Sequence, residues 1–483
     1  MAAKSVTRLL GGLVVAASLG SASLSQSIAS RILVKNVAIV GGGASGAHAA
    51  LRLKEDYGKS IVVIEAADHL GGHVSSYHDP TTGRDFDYGL NSFNDYGPAR
   101  DIFTRLSVSV TPAAHGDLAS KSVDFASGQL VNHTGPAIPD MFAALGKMYG
   151  IVKQYESLMI PSYAQFPAPS AIPADLLLSF GEFVIKYSLQ AAVPQIFAIT
   201  GNGLGDLLAT PTLYVLQAFG PATLESFLGI AGAPFVPSSG RNAEVYEAIA
   251  TRLGSNVLYS SKVVQSLRTG FGVVLWVQGG DGKYTLVLAD QLVMAIEPTP
   301  ENIEPFNPTA SEKAVFDKFA YSTVYAGIVS HPSLPTNASL VNTVPAAAPS
   351  NYLALPKPNF TVAFTPIDPA AGLWSVGVVG NEALTSDAAK ALVTSNINAM
   401  VASGVLPGVS GAKVTFKAWA VHGAMHARVS AAELKADFIR KQVALQGKTS
   451  TWWTGAAWSS TATSILWAYN DLLLPKIVAA SPA

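Results

Sequence analysis

Between Lys35 and Glu65 the chain reads strand, glycine loop, helix, strand, acid, an order that few folds can accommodate. Lys35-Asn36-Val37-Ala38-Ile39-Val40 is a short β-branched run of the kind that forms a buried strand. It leads directly into Gly41-Gly42-Gly43-Ala44-Ser45-Gly46, a G-x-G-x-x-G sequence. Ala47 to Tyr57 is rich in Ala and Leu at helical spacing, and Ser60 to Ile64 is a second strand ending at Glu65. Each residue type has a physical role in a dinucleotide site. Gly41 permits the tight turn off the strand, Gly43 lets backbone approach a diphosphate, and Gly46 lets the helix pack on the sheet. The helix start, Ser45 included, offers free N–H groups and a positive dipole end to phosphate. Glu65, about 20 residues beyond the last glycine, is placed to accept hydrogen bonds from a ribose.

The rest of the chain narrows the reading. At 483 residues it is about three times a typical domain of ~150, so one large or two interleaved domains are expected. Lys and Arg total 31 against 32 Asp and Glu, a net charge of −1, which leaves no electrostatic footprint for nucleic acid. Cysteine is absent, so disulfides, Cys-ligated zinc, a thiol nucleophile and a thioether-linked cofactor are excluded. At the N-terminus, Lys4 and Arg8 precede an apolar run from Leu9 to Leu19 and the small residues Ser21-Ala22-Ser23. This is the order of a secretory signal peptide, expected over residues 1–25, and the protein is expected in the secretory pathway. The run is too short for a transmembrane span, which needs ~20 residues, and no such span is expected.

The G-x-G-x-x-G loop does not by itself choose between NAD and FAD. A second glycine pair, Gly71-Gly72 followed by His73, comes soon after Glu65, and Phe86-Asp87-Tyr88-Gly89 shortly after that. A pair so close to the ribose acid brings further backbone amides to the diphosphate, and FAD is the expected cofactor. These residues, with Val37 to Gly46 and Ile61 to Glu65, resemble the flavin-containing amine oxidase superfamily, in particular its fungal β-cyclopiazonate dehydrogenase-like branch. Two later blocks are similar to the same family. Pro237 to Leu258, Lys262-Val263-Val264 and Gln291 to Ile296 resemble its returning segment, in which Val263 is implied to approach the adenine. Thr451 to Ala456 and a helix from about Thr461 to Leu474 resemble its C-terminal flavin-contacting segment. There the resemblance implies roles for Gly455, Ala456 and Ser464, with the helix dipole aimed at the pyrimidine end of the flavin ring. Two positions depart from the pattern: His73 stands where amine oxidases often have Arg, and Ala456 where many relatives have an acid.

The resemblance implies an α/β fold: a Rossmann-like FAD-binding domain of the amine oxidase and glutathione reductase type, assembled from residues 35–110, 232–300 and 414–480. An α+β substrate domain is expected from residues 111–231 and 301–413. Ala174 to Gln190 reads as helix, and Thr323 to Val329, Thr361 to Phe364 and Leu373 to Val379 read as strands. A pocket over the flavin ring is expected between the two parts. The C-terminal tryptophans read as core packing, with an aromatic pocket lining the alternative, for which Trp452 and Trp453 are the first choices. His422 and His426 stand four residues apart, a spacing that serves metal ligation on a helix. The local sequence is not clearly helical, no carboxylate separates them and no third ligand is evident, so no metal is expected. They read as satisfied buried histidines, with one as a flavin-side general base the alternative. His73 reads as a contact to the diphosphate or ribityl chain, with covalent flavin attachment as the alternative. The catalytic residues are not legible. The expected activity is hydride removal from a small apolar or aromatic molecule, a secondary metabolite, with electrons passed to oxygen or another acceptor. The alternative is a redox-neutral, flavin-dependent double-bond isomerase of unsaturated lipids.

Overall fold

The structure is a computed structural model that describes residues 31–113 and 119–481. The expected leader, residues 1–25, lies outside the described residues. Strand β1 (Arg31–Val40) begins four residues earlier than the sequence pattern suggests. Its first half is largely open to solvent, while Val37–Val40 are buried. The pairing explains the difference, because β2 (Ile61–Ile64) covers only Val37–Val40 whereas β3 (Tyr284–Met294) runs beside the whole strand. All three are parallel, and Ile61–Ile64 are buried throughout, as a central parallel strand covered on both faces must be.

The sheet continues from β2 to Val257–Leu258 on one side. On the other side β3 leads to an antiparallel pair, Gly272–Gln278 and Lys262–Thr269. A short parallel strand, β4 (Thr451–Trp453), docks beside the C-terminal end of β3. Helix α1 (Ala44–Glu55) follows β1 directly, and α2 (Thr463–Ala480) packs against it. Trp467 on α2 stacks on His48 of α1 at 5.4 Å and donates to the Ala44 carbonyl oxygen at 3.0 Å. Three segments far apart in the chain therefore meet at the end of β1.

A second sheet has the order Thr415–Arg428, Ala320–Ser330, Leu373–Gly380, Phe360–Asp368, Ala338–Asn342, Ala119–Asp124, Gln129–Leu130. The helix Ser386–Ala402 lies in its hydrophobic core, with Ala389, Val393, Ile397 and Met400 packed among Tyr325, Phe364, Trp374 and Val378. The three runs read as strands in this region lie within its strands. The pattern from Ala174 to Gln190 is not one helix but two, Ala174–Leu177 and Phe180–Tyr187. Ser179 starts the second by a reciprocal capping box with Glu182, which competes with continuing the first. The boundary drawn at residue 414 also moves. Thr415–Arg428 pairs along its length with Ala320–Ser330, so this strand belongs to the second sheet and the return to the first comes after Arg428. Among the described residues, no helix is long and apolar enough to cross a membrane.

Candidate cofactor and active site

The glycines at the end of β1 are required by contact. Gly41 has φ +95°, and a Cβ there would stand 2.7 Å from the Ala295 carbonyl oxygen. At Gly46 a Cβ would fall 1.8 Å from the Gly41 carbonyl oxygen. Gly43 differs, since a Cβ would meet nothing closer than Gly72 Cα at 3.6 Å. Gly72, with φ +60°, faces it from the second glycine pair, and the Gly71 amide donates to the Gly42 carbonyl oxygen at 3.0 Å. The result is a slot walled by two backbones with no side chain between them.

Glu65 braces this loop. Its two carboxylate oxygens accept from the amides of Gly42 at 2.6 Å and Ala67 at 2.7 Å, and its side chain borders the cavity. Each oxygen keeps a lone pair for a ribose hydroxyl. Helix α1 begins at the slot without a side-chain cap, so its first N–H groups are left for a ligand. Ser45, in that first turn, is buried and its hydroxyl has no partner. Helix α2 also begins uncapped at the cavity, where Thr461, Ala462 and Thr463 line it. Two uncapped helix starts aimed into one cavity of about 1430 Å³ are the electrostatic outline of a ligand with an anionic centre and an electron-rich ring.

Of the residues named from sequence, Gly41, Gly43, Ser45, Glu65, Gly71, Gly72, His73, Gly455 and Ala456 line this cavity together. Gly46 stands behind them as a packing glycine. Val263 does not reach the wall. The Ser261 amide donates to the Glu65 carbonyl oxygen at 2.8 Å, and the chain then enters the antiparallel strand Lys262–Thr269, where Val263 is buried. Ser464 also turns away, donating from Oγ to the Asn94 carbonyl oxygen at 2.6 Å, so Thr463 takes its place at the wall. Trp452 and Trp453 are core residues rather than pocket residues. Trp452 donates to Gln291 Oε1 at 2.8 Å, and Trp453 packs edge-on against Phe316 at 4.8 Å. The aromatics that do line the cavity include Tyr88, Phe197, Tyr246 and Tyr352.

His73 opens onto the cavity, and its ring interacts with the His422 backbone and meets the His422 ring edge-on at 4.7 Å. Burial lowers the pKa of His73, and lowers that of His422 to about 3, so both are neutral. His422 and His426 lie on the strand Thr415–Arg428, not on a helix, and both line the cavity. Glu297, three residues past the end of β3, is a functional candidate that sequence reasoning missed. It lines the cavity, its Oε2 is buried without a partner, and burial raises its carboxyl to about 7. No motif marks it, because its neutrality depends on what surrounds it. From the second sheet Val324, Val341, Val362 and Val379 line the cavity, interspersed with Ser122, Thr365 and Ser375, and Phe197 borders it as well.

Fold and site together define a dinucleotide-binding protein with a second sheet closing an apolar chamber against the nucleotide. A family model for an NAD(P)-binding Rossmann-like domain matches residues 39–106. The FAD-dependent oxidoreductase pigF of Monascus ruber is 34% identical over 92% of both chains. β-Cyclopiazonate dehydrogenase of Aspergillus oryzae is 30% identical over 92% of this chain and 93% of its own. Among solved structures, a fatty acid isomerase from P. acnes that produces CLA superposes with a TM-score of 0.70 at 17% identity, covering 92% of this chain and 98% of its own. Putrescine oxidase bound to putrescine superposes at 0.60 and 15% identity, covering 93% and 100%. The chain belongs to the family of FAD-dependent oxidoreductases that includes β-cyclopiazonate dehydrogenase, and it shares its fold with putrescine oxidase. The cofactor is FAD, and the residues present suit it: a side-chain-free slot for the diphosphate, an unpartnered Ser45 hydroxyl beside it, and Glu65 for the ribose.

Proposed function

We propose that this FAD-dependent oxidoreductase takes a hydride from an apolar small molecule, of the secondary-metabolite class, at a C–N or C–C bond, and passes the electrons to oxygen. The observation that carries this reading is the valine-rich wall of the second sheet facing the uncapped start of α2 across one cavity. When bound, FAD supplies a two-electron acceptor. The chain supplies the rest: the glycine slot and Glu65 fix the nucleotide, the valines and Phe197 exclude water, and the α2 start favours negative charge beside it. With a net charge of −1 the substrate is not gathered by charge, and apolar burial is left as its main attraction.

The test is anaerobic incubation of FAD-loaded protein with a metabolite extract, followed by admission of oxygen. The expected result is bleaching of the flavin band, a product two hydrogens lighter than its substrate, and recovery of the band with oxygen. Repeated turnover without any acceptor, to a product of unchanged mass, would replace the reading by isomerisation. We further propose that the leader directs the protein to the secretory pathway. Protein recovered from culture medium is expected to start near residue 25, and an intact Met1 terminus retained in the cytosol would overturn that.

A further inference from the structure

A second, much smaller cavity of about 10 Å³ adjoins the first, walled by Tyr214, Gln217, His426, Ala456 and Thr461 among others. That is about the space of one water, and a water here has the polar partners it needs. Tyr214 is buried in the helix Thr212–Ala218, and its hydroxyl makes no hydrogen bond of good geometry. The Val429 amide lies on its acceptor side, and its proton has no acceptor. His426 belongs to the walls of both cavities. Its ring has no hydrogen-bond partner among the described residues, whereas His73 and His422 engage each other.

Its position is also built. His426 has φ +53°, a conformation that non-glycine residues rarely adopt, and Arg428 Nη1 donates to its carbonyl oxygen at 3.1 Å. Opposite the ring is Gly203, where a Cβ would stand 2.0 Å from His426 Nε2 and 2.2 Å from Cδ2. Only glycine leaves the ring where it is. Burial, with Arg428 and His73 as the charged or ionisable groups acting on it, pushes the imidazole down to about 3. The imidazole is therefore unprotonated in the resting protein, and Tyr214 stands in the wall of the same side cavity.

We propose that His426 is the proton acceptor of the reaction, bridged by one water to Tyr214, with Gly203 as the positioning residue that makes room for its ring. This rests on the oxidative reading above. In the step, a substrate C–H bond breaks and its electron pair leaves with the hydrogen, as hydride, to FAD. An adjacent N–H, O–H or acidic C–H bond breaks the other way: the proton goes to His426, and the electron pair forms the new double bond. The substrate loses two electrons and two protons. Negative charge gained beside the ring favours the imidazolium that forms, by opposite-charge proximity.

Three measurements on the FAD-loaded protein test it. Photoreduction in weakly buffered solution needs no substrate, and wild type is expected to take up one proton more per FAD than His426→Gln. Equal uptake would overturn the role. With the extract fraction that bleaches the wild-type flavin, His426→Gln is expected to reduce at least ~100-fold more slowly, with half-saturation little changed. An undiminished rate sinks the proposal and leaves the oxidative reading standing. If no fraction bleaches wild type, the oxidative reading falls and the proton acceptor's role in substrate oxidation falls with it, whereas extra proton uptake still shows that His426 is protonated when the flavin is reduced. A crystal structure is expected to show one water within hydrogen-bond reach of both His426 and Tyr214, lost in Tyr214→Phe. A dry side cavity in the wild type would remove the bridge. Tyr214→Phe keeps the ring packing and serves as the second variant, expected to slow reduction several-fold.

Discussion

Gly43 and Gly46 belong to one motif, yet the structure gives them different tasks. A Cβ at Gly46 collides with the Gly41 carbonyl, which is backbone and cannot yield without moving β1 or α1. A Cβ at Gly43 has room at 3.6 Å, but it projects into the slot that the diphosphate needs. Gly43→Ala is therefore expected to fold with a melting temperature near wild type and to lose most FAD affinity, read by flavin fluorescence titration. Gly46→Ala is expected to lower the melting temperature of the FAD-free protein itself. If both variants melt alike, the division of labour is wrong. Glu297 yields a prediction of the opposite visibility, absent from any motif. Burial raises its carboxyl from 4.5 to about 7, so the folded state holds a proton that the unfolded chain releases. Its contribution to stability is fully present below pH 4.5 and is lost as pH rises through about 7, a loss of up to about 3 kcal/mol. Glu297→Gln is expected to match wild type at pH 4.5 and to exceed it in melting temperature at pH 8, both without FAD. A difference that does not change with pH would show that the carboxyl is not held neutral.

At the scale of elements, Trp467 and Asn470 both tie α2 to the start of α1, and Asn470 reaches a third element as well. Asn470 of α2 donates to the Ser45 carbonyl oxygen at 2.8 Å and accepts from Thr454 Oγ1 at 2.6 Å. It thus ties α1, α2 and the end of β4 at the cavity. Asn470→Ala leaves two buried groups unpaired and is expected to cost roughly 2 kcal/mol, seen as a lower denaturation midpoint. FAD affinity is expected to fall with it, and unchanged affinity would show that the helix starts hold their places without this tie. The first βαβ unit was legible because its signals are local: β-branched runs, glycines whose tight packing admits no side chain, and an acid at fixed distance. The elements left open were those whose identity depends on partners. Thr415–Arg428 carries two histidines at helical spacing, but its edge pairs with Ala320–Ser330, and pairing across the chain decides strand over helix. Trp452 and Trp453 read as core or, by proximity to Gly455, as pocket aromatics, and the docking of β4 against β3 turns them into the core.

At the scale of the molecule, the cavity is shared between the two sheets, with Gly43 and Glu65 at one end and Val341 and Val362 at the other. A ligand that binds only the folded state adds, at a hundred times its dissociation constant, about 2.7 kcal/mol. FAD is expected to raise the melting temperature in one cooperative transition, with scanning calorimetry as the check. Two transitions, of which only one responds to FAD, would mean that the sheets unfold separately.

By itself the sequence determined that a dinucleotide would bind, where its diphosphate and ribose would lie, and that no cysteine could tether it. Those properties follow from glycines whose missing side chains matter locally and from an acid at the end of a strand. The tertiary structure alone decided which histidine faces two cavities, which carboxyl burial raises towards neutral pH, and which valines line the chamber. Burial, desolvation and the meeting of distant segments set those properties, and none of them is carried by a residue and its neighbours in the chain.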